Sequence, residues 1–275
     1  MPVEQGALAT AFYSDLVASE ETVSMPTVMF PTIEFEDDGP DTRTQGGTIK
    51  QGLVKYKTRN VTVNNYNKGL EIPYEALRYS TINLVSMMFQ RFGRRLGARL
   101  NRDAVTCLIN GDQADLSQNA AVIGVVTVNT FAYEDITEVF VHMQEMGYNP
   151  IAVVGNGTMV KVFLNLPEIK NNQNSGGKLL NARLKRAIPS DVDLYPSAGG
   201  AANQLTFADP TAAMVQLTSE GFNVEVDKII QRRIQEANYS VTTGFAKFDR
   251  QAVVVVDRSI ALSGNTGPSW MSLVE

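Results

Sequence analysis

With 275 residues, 44% of them hydrophobic, and a formal net charge of −5, the chain suffices for one large domain or two modest ones with an ordinary buried core. Its single cysteine (Cys107) and single histidine (His142) exclude an intrachain disulfide and a Cys/His zinc centre, which needs about three or four such ligands. Carboxylate metal sites stay open. The start, MPVEQGALATAFYSDLVASEE, has early acids and no basic region, so no signal peptide is expected. The most apolar run, QAVVVVDRSIAL, meets Asp257 and Arg258 well short of the roughly 20 residues of a membrane helix. The expectation is a soluble protein, intracellular or particle-borne.

Residues 1–30 read as an arm, with one short amphipathic piece around Leu8, Phe12 and Leu16 and then the Pro-punctuated stretch SMPTVMFPTIEF. The acidic segment EFEDDGPD follows and ends in the turn signal Asp38-Gly39-Pro40. In TIKQGLVKYKTRNVTVNNY, residues Val54, Tyr56 and Thr58, then Val61 and Val63, alternate with polar neighbours as a strand requires. Residues 31–68 are thus expected to form a long two-stranded excursion, polar on both faces. Such a hairpin is not stable alone and needs a surface to lie on, its own body or a neighbour's.

The strongest element is GLEIPYEALRYSTINLVSMMFQRFGRRLGARLNRDAVTCLINGD. Pro73 and Glu75 signal a helix start, and Asn110-Gly111 an end. Leu77, Val85, Met88, Phe89, Phe92, Leu96, Leu100, Ala104 and Leu108 recur every three or four residues between them. A helix of some 36 residues would span about 50 Å, long for a compact domain. Gly93 and Gly97 each weaken it by about 1 kcal/mol relative to Ala, which points to a bend or to close packing.

Downstream, AAVIGVVTVN reads as a strand and FAYEDITEVFVHMQEMG as a helix with Ile136, Val139, Phe140 and Met143 on one face. PIAVVGN is a buried strand, GTMVKVFLNL a short helix with Thr158 as its N-cap, and LLNARLKRAI lies between polar low-complexity loops. The remainder is rich in strand patterns and closes on QAVVVVDRSIAL. The fold class is α+β.

Catalytic patterns are absent. NSGGKLL lacks the earlier glycine of a phosphate loop and has Leu179 where Ser or Thr belongs, and VVGNGT lacks the third glycine of a dinucleotide fingerprint. His142 has no second histidine or nucleophile to work with, and Cys107 reads as core-facing. The carboxylates Glu34, Glu36, Asp37 and Asp38 sit on a turn-rich hairpin with no apolar pocket to raise a pKa. No cofactor or metal is expected, and the chain does not read as an enzyme.

The stretch QRFGRRLGARLNRD instead gathers Arg91, Arg94, Arg95, Arg99 and Arg102 on the long helix. With Arg91 at zero on a helical wheel, Arg95, Arg99, Arg102 and Arg94 fall at roughly 40°, 80°, 20° and −60°, and Phe89, Phe92, Leu96 and Leu100 at roughly 100° to 180°. The basic stripe is a surface feature. It is a solvated face, a partner for acids of this or a neighbouring chain, or a contact with polyanion, and the acidity of the whole chain argues against high-affinity DNA binding.

This order of elements resembles the major capsid protein of tailed bacteriophages, the Hong Kong 97-type fold. The likeness covers most of the chain. It rests on an arm, a charged hairpin, GLEIPYEAL leading into the long helix ending RDAVTCLINGD, then AVVGNGTMVKVFLNLPEIK and the closing FDRQAVVVVDRSIAL. The resemblance implies an N-terminal arm (1–30), an extended loop (31–70), a peripheral domain with a spine helix (71–125), an axial domain (126–222), and return strands of the peripheral domain with the C-terminus (223–275). It implies self-assembly into hexamers and pentamers of an icosahedral shell around double-stranded DNA, assembled in the bacterial host cytoplasm and located in the virion. The acidic half of the hairpin (Glu34, Glu36, Asp37, Asp38) and its basic half (Lys50, Lys55, Lys57, Arg59) become expected intersubunit contacts, with charge complementarity setting register. The arginine stripe would face a neighbour or the DNA. Implied partners are a separate scaffolding protein, a portal and a decoration protein, with no membrane. The arm is shorter than in relatives with a scaffolding segment, and no motif marks the lysine, asparagine or acid of the covalent crosslinks some relatives form. Two other readings stay open: an encapsulin-type nanocompartment shell, and a soluble enzyme or ligand-binding protein.

Overall fold

The computed structural model describes residues 2–36, 53–79, 84–112, 118–167 and 192–262. Helix α1 (Pro2–Leu8) and a 3₁₀ turn (Tyr13–Leu16) lead to β1 (Ser19–Thr22), and β2 (Thr27–Glu36) and β3 (Leu53–Thr62) form a hairpin. There follow β4 (Asn64–Pro73), α2 (Tyr74–Tyr79), α3 (Leu84–Asn110), β5 (Ala121–Val125), α4 (Tyr133–Glu145), β6 (Ala152–Gly155) and α5 (Gly157–Leu164). Strands β7 (Asp193–Pro196), β8 (Gln204–Ala208), β9 (Met214–Ile229), β10 (Ile234–Lys247) and β11 (Val253–Ala261) complete the described elements. They build a four-stranded sheet β1-β9-β10-β4, a five-stranded sheet β5-β11-β8-β6-β7, and the separate pair β2-β3.

Helix α3 is the axis of the first layer. Its 27 residues span about 40 Å. Leu96, Leu100, Ala104, Val105, Cys107 and Leu108 are buried in one cluster with Tyr239, Val241 and Phe245 of β10. The Asn110-Gly111 stop holds: Gly111 takes φ +67°, the left-handed geometry that closes a helix. The single 36-residue helix expected over this region is described instead as α2 and α3, with residues 80–83 outside the described set.

The N-terminal segment is less of an arm than its sequence suggests. Leu8 is exposed, but Tyr13 and Leu16 enter the core with α3. Gly97 answers whether its helix bends or packs closely: a Cβ there would stand 2.6 Å from the Ala7 carbonyl oxygen, so the two helices meet backbone to backbone. Asn101, buried beside this contact, accepts hydrogen bonds from the backbone N–H groups of Phe12 (3.0 Å) and Tyr13 (3.1 Å) and donates to the Thr10 carbonyl (2.9 Å). Beyond it, β1 pairs in parallel with β9.

The five-stranded sheet is buried on both faces. Val253 and Val255 join the α3 cluster, while Val254 and Val256 join a second cluster with Ile136, Val139, Phe140 and Met143 of α4 and Met159 and Phe163 of α5. That explains the unbroken valine run, since a strand with two apolar faces has no polar positions to alternate with. The closing strand, assigned by the resemblance to the peripheral return, therefore sits inside the sheet that carries α4 and α5. Strand β9 crosses the 222/223 boundary and belongs to the α3 layer instead. The N-cap of α5 is Asn156, whose Oδ1 accepts from the Thr158 N–H at 3.2 Å, and not Thr158.

The hairpin also shifts. It runs from Thr27 to Thr62 rather than 31–68, because Asn64–Pro73 leaves it to pair with β10 over ten residues. LLNARLKRAI and the NSGGKLL loop lie outside the described residues.

Candidate assembly surfaces and the buried knot at the hairpin root

Strands β2 and β3 pair only with one another among the described strands, so the hairpin leaves the body through its root. The Val63 N–H donates to the Pro26 carbonyl at 2.8 Å and closes that root. Phe30, Val61 and Val63 are buried against Val215, Leu217 and Ala246 of the four-stranded sheet. Along the hairpin, backbone register sets Glu34 opposite Lys55, Thr32 opposite Lys57 and Glu36 opposite Leu53. Asp37, Asp38 and Lys50 lie outside the described residues.

Arg59, grouped by sequence with the hairpin's outward charges, points inward. Thr58 and Asn60 are exposed, and Arg59 shares its face with buried Val61 and Val63. Its guanidinium pairs with Asp112 just past the end of α3 and donates to the Lys247 carbonyl at the end of β10. Its guanidinium carbon also stands 5.0 Å from the centre of the Phe30 ring, its cross-strand neighbour. Lys247, fully buried, donates from Nζ to the Leu108 carbonyl at 2.9 Å, placing a cation where the last turn of α3 leaves carbonyls unpaired. Burial is the main cause that lowers the Lys247 pKa to about 7. Burial, helped by Asp112, pushes the Cys107 thiol up to about 12, which leaves it inert.

Beside this knot opens a polar cleft of about 480 Å³, with Asn60, Val61 and Thr62 of β3 on one wall and Arg99, Asp103 and Thr106 of α3 on another. Arg99 brings one end of the arginine stripe to it. Arg91, Arg94, Arg95, Arg99 and Arg102 are all exposed, on the side of α3 away from Leu96 and Leu100. Arg99 pairs with Asp103 one turn on at 2.9 Å, and the Tyr66 hydroxyl donates to the same carboxylate at 2.8 Å.

A further surface had no sequence signal. The far ends of β9 and β10 project to a 3₁₀ turn (Ile230–Arg232) in which Ile230 is 80% exposed. Register aligns Glu71, Glu236 and Asp227 in one row across β4, β10 and β9. On the opposite face Ile72, Ala237 and Tyr239 are buried, Tyr239 in the cluster with α3. Like charges directly opposite repel, so the row disfavours the isolated sheet and favours a cationic neighbour.

His142 lies buried on α4 with its Nδ1 3.6 Å from a Glu145 carboxylate oxygen. Among the described residues no group of three or more His, Cys, Asp or Glu side chains could hold a metal ion, and no helix is long and apolar enough to cross a membrane.

No protein-family profile and no curated protein matches the chain. Solved structures do. The virus-like particle from Pyrococcus furiosus superposes with a TM-score of 0.63 at 9% identity, over 93% of this chain and 96% of that one. The capsid of an empty GTA particle gives 0.61 at 13% identity over 88% of both chains. The mature capsid of bacteriophage PhiM1 gives 0.60 at 11% identity, over 90% of this chain and 86% of that one. The likeness runs nearly end to end, and at such identities it is a likeness of fold: this chain has the mixed α+β fold of phage capsid proteins.

Proposed function

We propose that this chain is the major capsid protein of a tailed phage, a structural subunit and not an enzyme. In this reading it assembles into hexamers and pentamers of an icosahedral, Hong Kong 97-type shell around double-stranded DNA. The observation that carries it is the hairpin Thr27–Thr62, two ten-residue strands that join neither other sheet, on a fold shared almost end to end with capsid subunits. A strand pair of that length needs a surface to lie on, and a neighbouring copy supplies one. Glu34, Glu36, Asp37, Asp38, Lys50, Lys55 and Lys57 are its charged contacts, and the Glu71, Glu236, Asp227 row of the next copy suits its lysines. The layer of α3 with the four-stranded sheet is the peripheral domain and the five-stranded sheet with α4 and α5 the axial domain. The α3 stripe meets packaged DNA or an acidic neighbour. A separate scaffold, a portal and a decoration protein complete the particle, which assembles in the host cytoplasm and ends as the virion shell.

A second reading, an encapsulin-type compartment, is favoured by the superposition on the Pyrococcus virus-like particle. The test is expression of the full chain, alone and with a candidate scaffold, followed by sizing and negative-stain imaging. Closed shells or capsomers support assembly; a 30 kDa-sized monomer under every condition, of the mass the sequence gives, overturns it. Shells filled from the genome by packaging identify the phage role, and shells that retain a host enzyme identify the compartment.

A further inference from the structure

We propose that Arg59 is a releasable latch that sets the angle between the β2–β3 hairpin and the body of the protomer. Three observations converge on it. The hairpin's root is narrow: among the described residues the Val63–Pro26 backbone bond and a small apolar patch hold it, and Arg59 reaches from it into the body. Two of the groups that Arg59 grips are element ends, Asp112 beyond the last turn of α3 and the carbonyl of Lys247 at the last residue of β10. Such positions shift without breaking a ladder. Finally, the polar cleft between β3 and α3 leaves about 480 Å³ into which the root can move.

The physics of a buried ion pair makes this a two-position joint. Desolvating Arg59 and Asp112 cancels much of their attraction, so the closed pair gains little over two hydrated ions. Apolar residues would hold the root more firmly. A charged pair instead allows a second arrangement, with the hairpin swung out and both ions solvated, at similar free energy. Gripping α3 and β10 together, the latch lets a force on the hairpin reach the end of α3. The charged and titratable groups facing the joint are Cys107 from α3, Asp112 just past its end, Lys247 from β10, and Asp249 and Arg250 from the turn that follows.

The test places nitroxide labels at Met29→Cys on the hairpin and Ile230→Cys on the body, both exposed, while buried Cys107 stays unlabelled. Labelled full-length chains are diluted into unlabelled ones, so each distance is intramolecular and does not depend on whether shells form. The parent should give one narrow distance distribution. Arg59→Met and Asp112→Asn should broaden or shift it, with amide exchange in α3 and β9–β10 unchanged. A distribution identical to the parent in both variants overturns the latch. So does global unfolding of both, which would make Arg59 part of the core; Arg59→Lys, keeping a single donor, should fall between parent and Arg59→Met.

Discussion

The core of the five-stranded sheet and the root of the hairpin bury their side chains equally well, with opposite chemistry. Phe207, Met159, Met143 and Val254 fill the first with carbon, and Phe140 meets Phe207 edge to face at 5.6 Å. The second adds Arg59, Asp112 and Lys247, ionisable groups buried beside a small apolar patch. Apolar burial sums with area and is indifferent to pH, whereas a buried charge is held only while its partners stay in place. The sheet's core is held by the first, and the root of the hairpin, which the proposed function sets against a neighbouring copy, adds the second.

The largest effect should come from the apolar core. Phe207→Ala should cost about 3–5 kcal/mol in denaturant unfolding, as large-to-small core changes do. Gly97→Val drives a side chain into the α1 backbone and should cost about 1–3 kcal/mol, with amide exchange rising in α1 first. Next comes pH. The folded Lys247 binds its proton less tightly than the unfolded chain does, so between about pH 7 and 8.5 unfolding takes up a proton and stability rises with pH, by at most about 1.4 kcal/mol per unit. Above that the raised Cys107 thiol acts oppositely, because the unfolded chain loses a proton the folded one keeps. Lys247→Met should flatten the rise; a rise that persists assigns it to other groups. Smaller still, replacing Arg59 and Asp112 together by Met and Leu should change stability by about 1 kcal/mol or less. A loss as large as that of Phe207→Ala would erase the contrast. Least of all, Arg91, Arg95 and Arg99 changed together to Gln should leave the unfolding midpoint unmoved. Lost assembly without DNA would assign the stripe to protein contacts, and normal empty shells that package poorly would assign it to the genome.

The elements whose burial follows one period were legible in the sequence. The α3 pattern, the Gly111 stop, α4, α5 and the valine run of β11 all follow from where apolar residues recur. The knot was not, because its contacts join residues 53, 139 and 188 positions apart by long-range packing. One local clue existed: strand alternation puts Arg59 on the face of Val61 and Val63, so an inward arginine and a distant acid could have been anticipated. Lys247 gave a similar hint, closing the apolar face of Val241, Thr243 and Phe245. The course of the N-terminal segment hung on Asn101, a polar residue that reads as surface until its three backbone partners are in place.

Strand β11 has a consequence for the order in which this protein can be made. Val253 to Val256 complete both apolar clusters at once and follow every other described element in the chain. Neither cluster closes before that strand has left the ribosome, so the two layers mature together. In the proposed shell, a subunit that stays unfinished until its last described strand arrives does not join a neighbour early. Truncation before Val253 should therefore yield a chain that stays loosely collapsed throughout, and not one finished half beside an unfinished one.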